Sequence, residues 1–113
     1  MDEINFSRDI SPDVRRFTLD GSDGDKATQV NIPAWCRRVT VRPEGNKIRM
    51  SFTTSSDDIH SDFIKISANA PSEFEVVAGE GKDNRITKFY LAGINALTVS
   101  TNVSVVVEGY TTK

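Results

Sequence analysis

Residues 97–110 read LTVSTNVSVVVEGY, and this alternation of apolar and polar side chains constrains the fold more than any other stretch of the chain. Successive side chains on a strand point to opposite faces, so Leu97, Val99, Thr101, Val103, Val105 and Val107 share one side. Thr98, Ser100, Asn102, Ser104 and Glu108 share the other. The odd positions are predicted to face a core and the even positions solvent or a partner. At ~3.3 Å per residue the full run would extend about 40 Å, longer than an ordinary strand. A bulge or break is therefore expected at Ser100, Thr101 and Asn102, with residues 103–109 the securer strand. Val106 interrupts the polar side and Tyr110 follows Gly109. Both are interface candidates, set against the plainer reading as isolated exposed apolar residues.

The same period recurs upstream in short runs separated by turn formers: residues 14–19, 27–32, 36–42, 47–53, 62–68, 73–78 and 85–91. No helical period competes with it. DGSDGD at 20–25, RPEGNK at 42–47 and GEGKDN at 79–84 supply glycines for positive φ and Asp or Asn side chains that bond their own backbone. About eight strands in so short a chain predict an all-β fold, an antiparallel two-sheet sandwich of jelly-roll-like form, since one flat sheet would leave an apolar face wet. An immunoglobulin-like sandwich is disfavoured because its Cys, Trp, Cys spacing is missing. Residues 1–12 are polar, contain Pro12 and show no period, and are expected to form a flexible N-terminal arm before a single domain at 13–113.

A chain of 113 residues buries roughly 65% of its unfolded surface on folding, enough to stand without disulfides, metal or cofactor. Fourteen Lys and Arg against sixteen Asp and Glu give a net charge of −2, which removes the general electrostatic case for nucleic acid. The one cysteine, Cys36, forms no internal disulfide and ties the fold to no oxidising compartment. The polar start MDEINFSRDISPD is unlike a signal peptide, and no run approaches the ~20 apolar residues of a membrane span. The expectation is a soluble protein made in a cytoplasm.

If PEGN closed a hairpin, Arg42 would face Lys47, Val41 Ile48, Thr40 Arg49 and Val39 Met50, keeping an apolar and a polar face intact. The polar face would then gather Arg38, Arg42, Lys47 and Arg49 into a basic stripe. Two readings follow: a surface for an acidic partner, or a solvated face balanced by Glu44 and the Asp-rich loops.

Catalytic patterns are sparse, and the expectation is that the chain is not an enzyme. The only histidine, His60, lies in SSDDIHSD with no nucleophile elbow around any serine. His60 with Asp57, Asp58 and Asp62 has the residue types of a metal cluster, but zinc sites favour several His and Cys at fixed spacing, so a solvated loop is the preferred reading. DGSDGD lacks the EF-hand pattern, leaving a loose calcium loop as the lesser alternative. GEGK lacks the rest of a phosphate-binding loop. Trp35 and Tyr90 are the aromatics that a carbohydrate site would need, set against their reading as core residues. Cys36 has no activating neighbour in sequence and reads as inert.

In layout, IPAWCRRVTVRPEGNKIRMSF and KFYLAGINALTVSTNVSVVVEG, within residues 32–109, resemble small all-β accessory proteins of tailed-bacteriophage virions, the capsid decoration or cement proteins and similar minor structural proteins. The resemblance carries no residue role. It implies a non-enzymatic virion protein, synthesised in the host cytoplasm, that binds the major capsid protein or another virion protein from outside. It also implies a homo-oligomer, with a trimer favoured, and no cofactor, nucleic acid or membrane. The alternative is a carbohydrate-binding sandwich module of a tail or host-recognition protein.

Overall fold

The computed structural model describes residues 2–6, 12–19, 27–52, 63–76, 86–93 and 101–109. They form nine strands and no helix: β1 (Asp2–Ile4), β2 (Asp13–Leu19), β3 (Thr28–Asn31), β4 (Arg38–Glu44), β5 (Ile48–Ser51), β6 (Ile64–Ile66), β7 (Ser72–Glu75), β8 (Lys88–Gly93) and β9 (Thr101–Glu108). One sheet has the order β1-β3-β8-β5-β6 and the other β2-β9-β4-β7. Pairs nest from the outside of the chain inward: β2 with β9, β3 with β8, β4 with β7 and β5 with β6. The pairs β4–β9 and β5–β8 then join this folded ribbon into two sheets. The all-β, two-sheet sandwich expected from periodicity is the architecture observed.

The alternation that opened the sequence is realised in β9. Val103, Val105 and Val107 are fully buried and Thr101 nearly so, while Asn102, Ser104, Val106 and Glu108 are half-buried on the outward side. Between the sheets they meet Val39 and Val41 of β4, Val30 of β3, Ile48 and Met50 of β5, and Phe89 and Leu91 of β8. β-branched side chains dominate because they fill a pleated surface with little rotamer freedom to lose. The expected break at Ser100 to Asn102 does not divide the strand from Thr101 onward, since Thr101 pairs with Leu19 and Asn102 with Thr18. Ser100 lies outside the described residues.

Two expectations need correction. The chain start is not wholly an unpaired arm: β1 lies parallel to β3, with Asp2 opposite Thr28 and Ile4 opposite Val30. Ile4 and Phe6 pack against the core, so two apolar side chains at alternate positions suffice to hold a short edge strand. The hairpin through PEGN is also absent. β4 continues through Pro43 and Glu44, which sit opposite Val103 and Asn102; after Gly45, at φ 99°, the chain passes into the other sheet. The physical reason is that period two assigns faces but not partners. A register that preserves faces is equally satisfied by β9 and β7 beside β4, and that choice lets β5 bury both of its sides.

Candidate interaction surface

The outward face of the four-stranded sheet is built from alternate residues of its strands. In one row Val14, Val106 and Thr40 lie side by side, and in the next Arg16, Ser104 and Arg42. Arg38 follows opposite Glu108 and Glu75, and Glu44 opposite Asn102. Val14 is 53% exposed on the edge strand, and with half-buried Val106 it forms an apolar centre.

Charges surround that centre. The Arg16 guanidinium reaches across β9 to grip Glu44 with two bonds, Nε to Oε2 at 3.1 Å and Nη2 to Oε1 at 2.8 Å. Ser104 Oγ donates to the same carboxylate at 3.1 Å. The Arg16 bond, opposed by desolvation and aided by Ser104 and by the charges of Arg16 and Arg42, holds the Glu44 carboxyl below its usual range. Arg38 lies 3.5 Å from both Glu73 and Glu108. These pairs are exposed, so they fix side-chain positions more than they add stability.

Of the four residues of the anticipated basic stripe, the structure keeps two together. Arg38 and Arg42 are exposed on β4. Lys47 is exposed in the connection that leaves this sheet. Arg49 belongs to the other sheet and is only 5% exposed. Its Nε donates to the Gly93 carbonyl at 2.8 Å and its guanidinium lies 5.4 Å from the Phe63 ring centre. Arg49 is thus part of a second buried layer with Tyr90, Ala92 and Ala27 on the outward side of the five-stranded sheet. Alternation alone places Arg49 on an outward face and gives no sign that this face is covered.

The burial of Tyr90 removes it from a carbohydrate site, as its core reading requires. Trp35 is different: half-buried against the core, it also lines an open cleft of about 780 Å³ together with Asn5, Phe6, Asn31 and Pro33. The turn that carries it is pinned by bonds from Cys36 N to the Pro33 carbonyl, from Ile32 N to the Thr87 carbonyl and from Arg37 N to the Glu108 carbonyl. The indole Nε1 is enclosed and has no hydrogen-bond partner. Periodicity gave no hint of this cleft, because its two walls come from the chain start and from residues 31–35, brought together by β1–β3 pairing and by Asn31 bonds to Glu3 and Asn5.

Cys36 is buried with Sγ 3.3 Å from the Arg38 carbonyl, as a packed thiol would be. No group of three or more metal-ligating side chains occurs among the described residues. His60, Asp57, Asp58, Asp62, the DGSDGD run, GEGK and Tyr110 lie outside the described residues. Compared with known proteins, the chain matches no family model, no curated protein and no solved structure.

Proposed function

We propose that this chain is a non-enzymatic structural protein of a virion, a decoration or cement protein that binds the assembled shell through the outward face of its four-stranded sheet. The observation that carries the reading is the Val14–Val106 centre with Arg16, Arg38, Arg42, Glu44 and Glu108 around it on the outward face of one sheet. An apolar centre within a polar rim is the anatomy of a protein interface, and a surface already held by ion pairs loses little entropy on docking. The nested strand pairing is in keeping with a jelly roll, an architecture recurrent in viral capsid domains. Fold alone does not fix function, so the argument rests on the face.

In this reading the partner is the major capsid protein, the chain reaches the virion from the host cytoplasm, and it acts as a homo-oligomer, a trimer by analogy with the proteins it resembles. Arg38 and Arg42 remain contact residues, while Arg49 is buried in the other sheet and exposed Lys47 lies in the connection beyond this face. The test is co-sedimentation of the purified chain with shells of the major capsid protein, alongside its mass in solution. Salt-sensitive binding that Val14→Asp abolishes at unchanged melting temperature supports the proposal. Failure of the wild-type chain to sediment with shells overturns it.

A further inference from the structure

We infer that the cleft between Asn5 and Trp35 is a binding site for a neutral oligosaccharide. It is separate from the face assigned to protein contact, and its argument does not depend on that assignment. Its volume, about 780 Å³, falls within the range of small-molecule sites. What it offers chemically is narrow. Among the described residues that line it none is charged: Phe6, Pro33 and Trp35 are apolar, and Asn5 and Asn31 are amides.

The amides have a fixed sense. Glu3 is acceptor-only, so Asn31 must turn its Nδ2 toward Glu3 Oε1, at 3.1 Å. Asn31 Oδ1 then accepts from Gln29 Nε2 at 2.7 Å, and Nδ2 also donates to Asn5 Oδ1 at 2.9 Å. Asn5 is left with its oxygen engaged and its amide N–H groups available at the exposed end of the chain. Its position is held by a second bond, Arg15 Nη1 to the Asn5 carbonyl at 2.8 Å. Linked amides polarise one another, which strengthens the terminal donor. With Glu3 and Arg15 both bonded close to Asn5 and offsetting one another, and no charged side chain among the described lining residues, that donor is matched by a neutral acceptor.

Trp35 completes the complementarity. Because its Nε1 is enclosed, the indole of Trp35 offers no polar atom to the cleft it lines. An apolar ring surface beside a fixed amide donor suits a ligand with one C–H face and hydroxyl or ring oxygens at its edge, as a neutral sugar has. A proline-rich peptide would use the aromatic surface but calls for no such polarised amide chain.

Trp35 is the only tryptophan, so selectively excited tryptophan emission reports on this site alone. The full chain is titrated with maltohexaose, cellohexaose and N-acetylchitohexaose at up to millimolar concentration, and with a proline-rich decapeptide for comparison. The expected result is a saturable emission change with at least one hexasaccharide, weakened about tenfold in Asn5→Asp, which keeps the acceptor and removes the donors. Asn5 is exposed, so this variant should melt with the wild type. Trp35→Phe, followed by calorimetry, should also bind more weakly. No response to any of the three sugars, binding indifferent to both substitutions, or a response to the peptide alone would each overturn the inference. Capsid sedimentation is unaffected by any of these outcomes, so this inference and the proposed function fail separately.

Discussion

Val105→Ala measures whether β9 is set as described. Val105 is fully buried, in register with Val41 on one side and Arg15 on the other, at the middle of a central strand. Truncation removes two methyl groups, about 1.6 kcal/mol of transfer free energy at ~0.8 kcal/mol per group. The backbone on either side is locked by pairing, so little collapse is expected. A residual cavity of about 40 Å³ at ~24 cal/mol per Å³ adds about 1 kcal/mol. The total, about 2–3 kcal/mol, corresponds to roughly 8–12 °C in a domain of this size. Ser104→Ala loses only the half-exposed bond to Glu44 and should cost about 0.5 kcal/mol, or roughly 2 °C. Urea unfolding followed by circular dichroism, with slopes compared to ensure an unchanged unfolded state, gives both numbers. A larger cost at Ser104 or Val106 than at Val105 would mean that the strand presents its other side to the core, and the whole register argument would fall.

Three further expectations can be checked together. Arg49→Ala should destabilise by about 2–3 kcal/mol, since it removes a charged hydrogen bond to a buried carbonyl and a cation–ring contact, whereas Arg38→Ser with Arg42→Ser should shift melting little while weakening any salt-sensitive association. Gly109→Ala would drive a Cβ into the Trp35 carbonyl oxygen and to 2.9 Å from its ring Cε3, so a loss of about 1–3 kcal/mol with altered tryptophan emission is expected on thermal scans. Glu44, with its carboxyl held low mainly by Arg16, adds stability above the unfolded carboxylate value of about 4.3 that is lost as pH falls through the lower folded value. Glu44→Gln should therefore melt less steeply with falling pH across that acid window; an unchanged acid profile would show that the Arg16 grip contributes nothing.

The sequence made the faces of strands legible and left their neighbours illegible. Val103, Val105 and Val107 are inward because period two is a property of the chain itself. Which strand lies beside β4 is a property of the whole fold, and the PEGN hairpin failed because its face-preserving register was one of several. The same limit hid Arg49. A residue on the outward side of a central strand is exposed only if nothing covers that side, and Tyr90, Ala92 and Arg49 are all buried there. Arg38 and Arg42 were readable as surface residues because they stand two apart from Thr40 on one strand, but the glutamates that hold Arg38 come from β7 and β9, beyond any local pattern. At the chain start, Ile4 and Phe6 carried a strand signal only two positions long, too short to stand out from an arm.

β9 ties the two candidate surfaces together. Its even residues supply Ser104, Val106 and Glu108 to the sheet face, while its end holds the Trp35 turn, through the Glu108 carbonyl that accepts from Arg37 N and through Gly109 against the Trp35 backbone. A strand that buries one side and displays the other transmits any slip to both surfaces at once, because a shift of one residue exchanges the two sides. The long valine run makes that slip costly, since it would expose three fully buried side chains, each worth roughly 1.5–3 kcal/mol. Both surfaces are therefore referenced to the core by the same strand. Substitutions confined to its outward residues should alter the outward sheet face without moving the cleft, whereas a change at Gly109 alters the cleft and leaves the Val14–Val106 centre in place.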